Sequence, residues 1–388
     1  MTEIEELEVA IGRFESYTKT DPDNHLLWLE LGDLHHRLSH FDEALDSFGQ
    51  ALRLSPGLPA ARSRIALVRI SQHQFEEAER ELKQLVDEGN QDPALLHNLG
   101  LALYFQERWQ DAQPYFEAAG DAGLTAPSNY AYLARCLHYA GQMDKAIDAG
   151  RQWVAAGADP ASNGYLALLE MDNGNRAEAS KLAARALEAD PNNADAAIVA
   201  GTAAMEQQDS QAAGAHFSAV IESNPQSGRA WLGLGLTHLY NQQPAQGIEA
   251  LKKAQRFMPG NSGTIVALGW AKLSQQDFTG AEQSFREAIE ADRAFAEAHG
   301  GLASALVFQR RFEDAKTAML IADRLDRKNF GSVYARSIML KLEGRSELAS
   351  RLVAGALDRP LEGSDKSLTE HIRIFAEQTS KTPGGKPK

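Results

Sequence analysis

The sequence predicts an all-α chain: a solenoid of tandem helix-turn-helix hairpins, closed by a capping helix at each end. Three observations predict it. Small residues recur at two fixed positions about every 34 residues. Between them, larger apolar residues recur at the spacing of a helix that buries one face. Several units then stop at a proline, such as Pro56, Pro191, Pro225 or Pro259, because proline lacks the backbone donor and clashes with the preceding turn.

The unit is clearest in His25 to Leu58. Counting His25 as position one, position eight is Gly32 and then Ala66, Gly100, Ala134, Ala167, Gly201, Gly235, Gly269, Ala303 and Ser337. Position twenty is Ala44 and then Ala78, Ala112, Ala146, Ala179, Ala213, Gly247, Ala281, Ala315 and Ala349. All are small, as two closely approaching helix backbones require. A large residue at Ala281 is expected to cost roughly 1–3 kcal/mol by overpacking. Position twenty-four is often aromatic, as at Phe48, Phe116, Phe217 and Phe285.

In chain order, residues 1–24 read as half a unit, with Ala10, Phe14 and Tyr17 at the buried positions and an acidic outer face that caps the stack. The full units are 25–58, 59–92, 93–126, 127–159, 160–193, 194–227, 228–261, 262–295, 296–329 and 330–363. The second departs at Arg62, where an aromatic is usual. The link AGDAGLTAPSNY predicts local irregularity through Gly120, Gly123 and Pro127. In the fourth unit Gly150 replaces the aromatic and Trp153 replaces an alanine, so the ring is expected to move down one turn into the space the glycine leaves. One residue is missing between Ala146 and Ala179, which predicts a kink or altered pitch near Ala155 to Gly164. The tenth unit turns polar at Arg336 and Ser337, as an end unit should. Ser367 to Glu370 reads as a capping box opening a last helix, 364–378, with Leu368, Ile372 and Phe375 along one stripe. That helix is expected to cap the tenth unit, or to lie in the groove as an autoinhibitor. The tail, 379–388, is expected to be disordered.

Trp28-x2-Leu31-Gly32, Ala44-x3-Phe48-x2-Ala51 and Pro56 resemble the tetratricopeptide repeat (TPR) almost position for position, and Trp231, Leu234, Gly235, Ala254 and Pro259 resemble it again. The resemblance covers ten repeats and implies a right-handed α-solenoid. In this family the first helix of each repeat lines a concave surface, through positions two, five, nine, twelve and thirteen. The resemblance therefore assigns partner binding to Leu101, Tyr104, Phe105, Arg135, His138, Tyr139, Leu168, Met171, Leu232, Leu236, Tyr240, Trp270, Phe308 and Tyr334. Leu29, Asp33, His36, Arg37, His97, Leu239, Val266, Leu273, Val307, Ile338 and Lys341 fall on the same helices. That surface is apolar and aromatic, which suits a peptide or an amphipathic helix. The chaperone-binding members clamp a C-terminal carboxylate with Lys and Asn. Here position five of the first three repeats is Leu29, Ser63 and His97, and position nine is Asp33, Leu67 and Leu101, so the resemblance does not extend to that clamp.

Composition narrows the function further. The net charge of −14 lacks the basic stripe that a nucleic-acid backbone would want, so no nucleic-acid partner is expected. The charge serves solubility or draws a basic partner. The N-terminus has no secretory pattern, and the longest apolar stretch, around Ala196 to Met205, is too short to span a bilayer, so no membrane insertion is expected and the cytoplasm is the expected compartment. Cys136 is the sole cysteine, which leaves no internal disulfide and suits a small buried thiol. No Gly-x4-Gly-Lys-Ser/Thr loop and no Gly-x-Ser-x-Gly elbow occurs. His36 and His40 lack the company a zinc ion needs. The expectation is a non-catalytic scaffold or adaptor, without cofactor or metal, that binds other proteins along its groove, with room for a homodimer. An assembly factor or chaperone for a secretion, pilus or envelope polysaccharide machine, or an accessory subunit presenting substrate to an enzyme, stays open beside it.

Overall fold

A computed structural model describes residues 2–157 and 159–357 of the 388-residue chain. The end of the tenth unit, the helix expected at 364–378 and the tail lie outside the described residues. Among the described residues there are 21 α-helices and no strand, arranged as an α-solenoid of successive hairpins. They form two compact units that divide after Leu169.

The first unit opens with α1 (Glu3–Thr20). Four hairpins follow: α2 (His25–Arg37) with α3 (Phe41–Leu54), α4 (Pro59–Ser71) with α5 (Phe75–Asp87), α6 (Pro93–Tyr104) with α7 (Trp109–Asp121), and α8 (Pro127–Tyr139) with α9 (Met143–Ala156). The division falls within α10 (Pro160–Asp172). The second unit continues with α11 (Arg176–Ala189), then α12 (Ala194–Glu206) with α13 (Ser210–Ser223), and α14 (Gly228–Tyr240) with α15 (Pro244–Phe257). It ends with α16 (Ser262–Ser274) and α17 (Phe278–Ala291), α18 (Ala296–Phe308) and α19 (Phe312–Leu325), α20 (Phe330–Leu342) and α21 (Ser346–Leu357).

The twenty small positions are all buried. Where position eight is glycine, the ring at position twenty-four usually takes the place of the missing side chain. A β-carbon on Gly100, Gly201 or Gly269 would lie 2.8, 2.8 or 2.7 Å from Phe116, Phe217 or Phe285. Phe48 fills the same place beside Gly32. Where position eight is alanine, position twenty-four is Leu82, Gly150, Ala183 or Met319, none of them aromatic.

Every hairpin turns through the same device. The residue at position fifteen has positive φ: Ser39, His73, Glu107, Gly141, Gly174, Gln208, Gln242, Gln276, Arg310 and Gly344. The next N–H then donates to the carbonyl five residues back, as from His40 to His35 at 2.9 Å and from Asp277 to Lys272 at 3.0 Å. This satisfies an orphan carbonyl at the helix end. Seven of these residues are not glycine, so the turn tolerates a strained backbone.

Five expectations need correction or detail. On α1 the packed side runs through Leu7, Ile11, Phe14 and Thr18, while Tyr17 is 51% exposed. The 7-11-14-18 spacing carries the contact stripe onto Thr18, one residue past Tyr17. At Gly150 the space is filled by Leu166 and Leu169 of α10, whose Cδ1 atoms would lie 3.1 and 3.3 Å from an added β-carbon. Trp153 instead turns toward Arg135 and Tyr165. The missing residue near Ala155 is taken from the connection, which has three residues, 157–159, where others have four or five. At the AGDAGLTAPSNY link, Gly123 at φ 98° closes α7 with a bond from the Leu124 N–H to the Ala119 carbonyl at 2.9 Å. In the tenth unit Arg336 is exposed and pairs with Asp323 at 2.6 Å, while Ser337 is buried and donates to the Tyr334 carbonyl.

Candidate functional site: aromatic ledges on the first helices

In the first unit α6 and α8 bring five of the expected residues together. Tyr104 meets Tyr132 edge-on at 4.9 Å, and Phe105 meets both, at 5.5 and 5.9 Å. Phe105 and Tyr139 remain 42% and 53% exposed, although each also stacks on a second helix of the preceding hairpin. Phe105 lies on Phe75 at 5.4 Å, and Tyr139 on Trp109 at 4.4 Å. The guanidinium of Arg135 lies over Tyr165 at 4.4 Å and Trp153 at 5.0 Å. His138 shares a hydrogen bond with the Tyr165 hydroxyl at 3.0 Å and stacks beside Tyr139. Burial raises the Tyr104 hydroxyl above its ordinary value, Tyr139 adds to the shift, and Arg135 opposes it. It therefore stays a protonated donor at neutral pH.

Leu101 and Leu168 are buried and belong to the core. So do Val266, Leu273 and Val307. Burial is deepest on α6 and α18, where most of the helix is covered.

In the second unit Trp270, Phe308 and Tyr334 come together from α16, α18 and α20. Trp270 and Tyr334 stand 6.1 Å apart, and Phe308 and Tyr334 stand 6.5 Å apart. Trp270 backs onto the core ring of Phe285 at 5.5 Å, and Phe308 lies flat on Phe278 at 4.9 Å. Leu232, Leu236 and Tyr240 share α14: Leu232 packs on Leu251 and Leu268, while Leu236 and Tyr240 are exposed. Met171 is half-buried near the end of α10.

Sequence reasoning missed the rings beneath these ledges: Phe75, Trp109, Phe278, Tyr132, Trp153 and Tyr165. A signal existed for three. An aromatic at position seventeen is followed thirty residues later by one at position thirteen, as in Phe75 and Phe105, Trp109 and Tyr139, and Phe278 and Phe308. A polar network accompanies two of these pairs. Arg108 joins Glu79 and Asp111 while Gln106 donates to Glu79, and Arg311 joins Glu282 and Asp314 while Gln309 donates to Glu282. These networks fasten one hairpin to the next.

Nearer the N-terminus a cavity of about 620 Å³ is lined by Asp33, Ser63, Arg64, Leu67, Leu95 and Asn98, among others. Nε of Arg64 lies 2.8 Å from both Asp33 oxygens, so this charge pair is internally satisfied. Among the described residues no group of His, Cys, Asp or Glu is placed to hold a metal ion, and no helix is long and apolar enough to cross a membrane.

Charge is divided unevenly. Residues 1–169 hold 26 Asp and Glu against 13 Lys and Arg, and residues 170–388 hold 27 against 26. Within the first unit the second helices α3, α5 and α7 carry eleven acidic residues against three basic ones. The first helices α4, α6 and α8 carry Arg62, Arg64, Arg69 and Arg135 and no acid.

Family models described as tetratricopeptide repeat match residues 3–59, 37–101, 97–163, 166–227, 198–262 and 272–336. Among curated proteins, the BBSome complex member BBS4 of Bos taurus is 27% identical over 246 residues, covering 61% of this chain and 46% of that protein. Superkiller complex protein 3 of Mus musculus is 33% identical over 119 residues, covering 30% of this chain and 8% of that protein. The chain thus spans less than half the length of either relative. Among solved structures, the human IFIT1 dimer with m7Gppp-AAAA matches with a TM-score of 0.53 at 16% identity, over 86% of this chain and 90% of that one. That likeness is one of fold.

Proposed function

The chain belongs to the tetratricopeptide-repeat family, and from that premise we propose that it is a non-catalytic scaffold that binds apolar segments of partner proteins on the first-helix faces of its hairpins. One observation carries the reading: rings held rigidly from beneath yet left part-exposed, as with Phe105 on Phe75 and Tyr139 on Trp109. Aromatic side chains preorganised in this way lose little conformational entropy on binding and are enriched at binding hot spots. The ledge of Trp270, Phe308 and Tyr334 supports the same role in the second unit, and exposed Leu236 and Tyr240 add apolar surface there. Both curated relatives are named as members of complexes, which supports a place for this chain as a subunit of a larger assembly. The acidic balance supports protein rather than nucleic acid as the partner.

The test is affinity capture from native extract with wild type and the triple variant Phe105→Ala, Tyr139→Ala, Tyr240→Ala, with helix content checked by circular dichroism. Proteins retained by wild type and lost by the folded variant support the reading. Identical retention by both moves the binding surface elsewhere.

A further inference from the structure

Arg135 differs from the other arginines on the first helices of the first unit that hold ion pairs. Arg37 pairs with Glu3, Arg62 with Glu81 and Glu88, and Arg64 with Asp33. Arg135 has no carboxylate partner among the described residues. Its recorded hydrogen bond is from Nη1 to the Ala131 carbonyl at 3.0 Å, one of five N–H groups. Arg135 is half-buried, and neither Nε nor Nη2 is among the fully buried polar atoms left without a partner, so those two nitrogens are not sealed from water.

The stacking on Tyr165 and Trp153 matters for what those groups can do. An aromatic shelf covers a guanidinium face and holds its plane, while the edge that carries the donors stays open. That edge matches a carboxylate in a two-pronged geometry, and a preordered fork loses less entropy in forming it. The Tyr104 hydroxyl and the rings of Phe105, Tyr132 and Tyr139 form the surrounding surface.

We propose that Arg135 receives a single Asp or Glu side chain of a partner segment, whose flanking apolar residues pack on Tyr104, Phe105 and Tyr139. This rests on the partner-binding reading above and adds the chemistry of the partner. Local charge supports it, since α6 and α8 carry no acid and Arg135 is their sole Lys or Arg. The acidic second helices disfavour a polyanion such as RNA, whose many phosphates would meet the unit's net negative charge. One carboxylate in an otherwise uncharged segment meets only the local arginine.

The experiment uses the full chain and an array of short peptides built from Leu, Phe, Trp and Ser with one central Glu, each beside its Gln twin. Binding of the retained pairs is then measured by fluorescence anisotropy, with a short single-stranded RNA as a further probe. The expected result is Glu peptides bound about tenfold more tightly than their Gln twins by wild type. Arg135→Gln abolishes that preference, Arg135→Lys keeps only part of it, and Phe105→Ala weakens both twins alike. Circular dichroism melting checks that each variant is folded. Equal binding of Glu and Gln twins by wild type overturns the carboxylate inference and leaves the apolar surface standing. Retention of neither twin overturns both. RNA bound in preference to every Glu peptide, and lost in Arg135→Gln, overturns it in favour of a nucleic-acid ligand.

Discussion

A β-carbon on Gly269 would lie 2.7 Å from Cε1 of Phe285, and one on Gly301 of the next hairpin would meet the same ring atoms, Cε1, Cδ1 and Cζ. The ring is fully buried against glycines of two first helices. Gly269→Ala is therefore expected to destabilise by about 1–3 kcal/mol through overpacking, despite the better helix propensity of alanine. Gly12→Ala, on α1 with no heavy atom within 4 Å of the added carbon, is expected to stabilise by about 0.5–1 kcal/mol. Pairing Gly269→Ala with Phe285→Leu, which copies Ala66 and Leu82, should recover part of the loss. Urea unfolding of the variants measures all three.

The stack of Phe278 on Phe308 joins neighbouring hairpins at 4.9 Å with the planes 1° apart. A double-mutant cycle with alanine at both positions should give a coupling of about 0.5–1.5 kcal/mol. A coupling near zero would mean that the rings share space without holding the hairpins together.

Gln276 sits at φ 62° in the turn between α16 and α17. Gln276→Val should cost about 1–3 kcal/mol, because a β-branched side chain suits that backbone region least. Gln276→Gly should leave the melting temperature unchanged or higher. Loss of stability in the glycine variant would show that the glutamine side chain contributes more than the backbone strain costs.

Burial holds the His97 imidazole below its ordinary value, and its hydrogen bond to Asn129 only partly opposes this. The unfolded chain thus binds the proton more readily than the folded one. Stability is full above the unfolded value of 6.5, declines as the pH falls through it, and reaches its floor below the folded value. His97→Gln keeps a side-chain amide near Asn129 without the titration. Thermal melts between about pH 7.5 and 5.5 should show a steeper acid loss in wild type than in the variant.

The hairpin architecture was legible because its determinants repeat. A small residue at a helix crossing is required ten times over, and recurrence separates that requirement from chance. The buried rings at Phe48, Phe116, Phe217 and Phe285 were legible for the same reason. The turn geometry was not, since only Gly141, Gly174 and Gly344 among the ten turn residues advertise positive φ. The ledges were half legible. Tyr104, Phe105 and Tyr139 could be placed on first helices by register, but the rings beneath Phe105 and Tyr139 come from second helices thirty residues earlier, and Tyr104 meets Tyr132 of the next first helix. Leu101 and Leu168 share that register and are nevertheless buried, because exposure depends on how closely neighbouring hairpins pack. Trp153 shows the limit of conserving volume within one helix: Gly150 makes room for Leu166 and Leu169 of the next helix instead of for the displaced ring.

The alternation between glycine-with-phenylalanine hairpins and alanine-with-smaller-residue hairpins bears on how the chain avoids assembling wrongly. A chain of near-copies could seat a first helix against the second helix of a different copy, with most contacts preserved. Here such an exchange is penalised in both directions. Ala66 set against Phe48 would drive a methyl group into a ring, and Gly32 set against Leu82 would leave a void. The mismatch makes a first helix of one kind reject a second helix of the other kind, so part of the pairing is written into the cores as well as into the covalent chain.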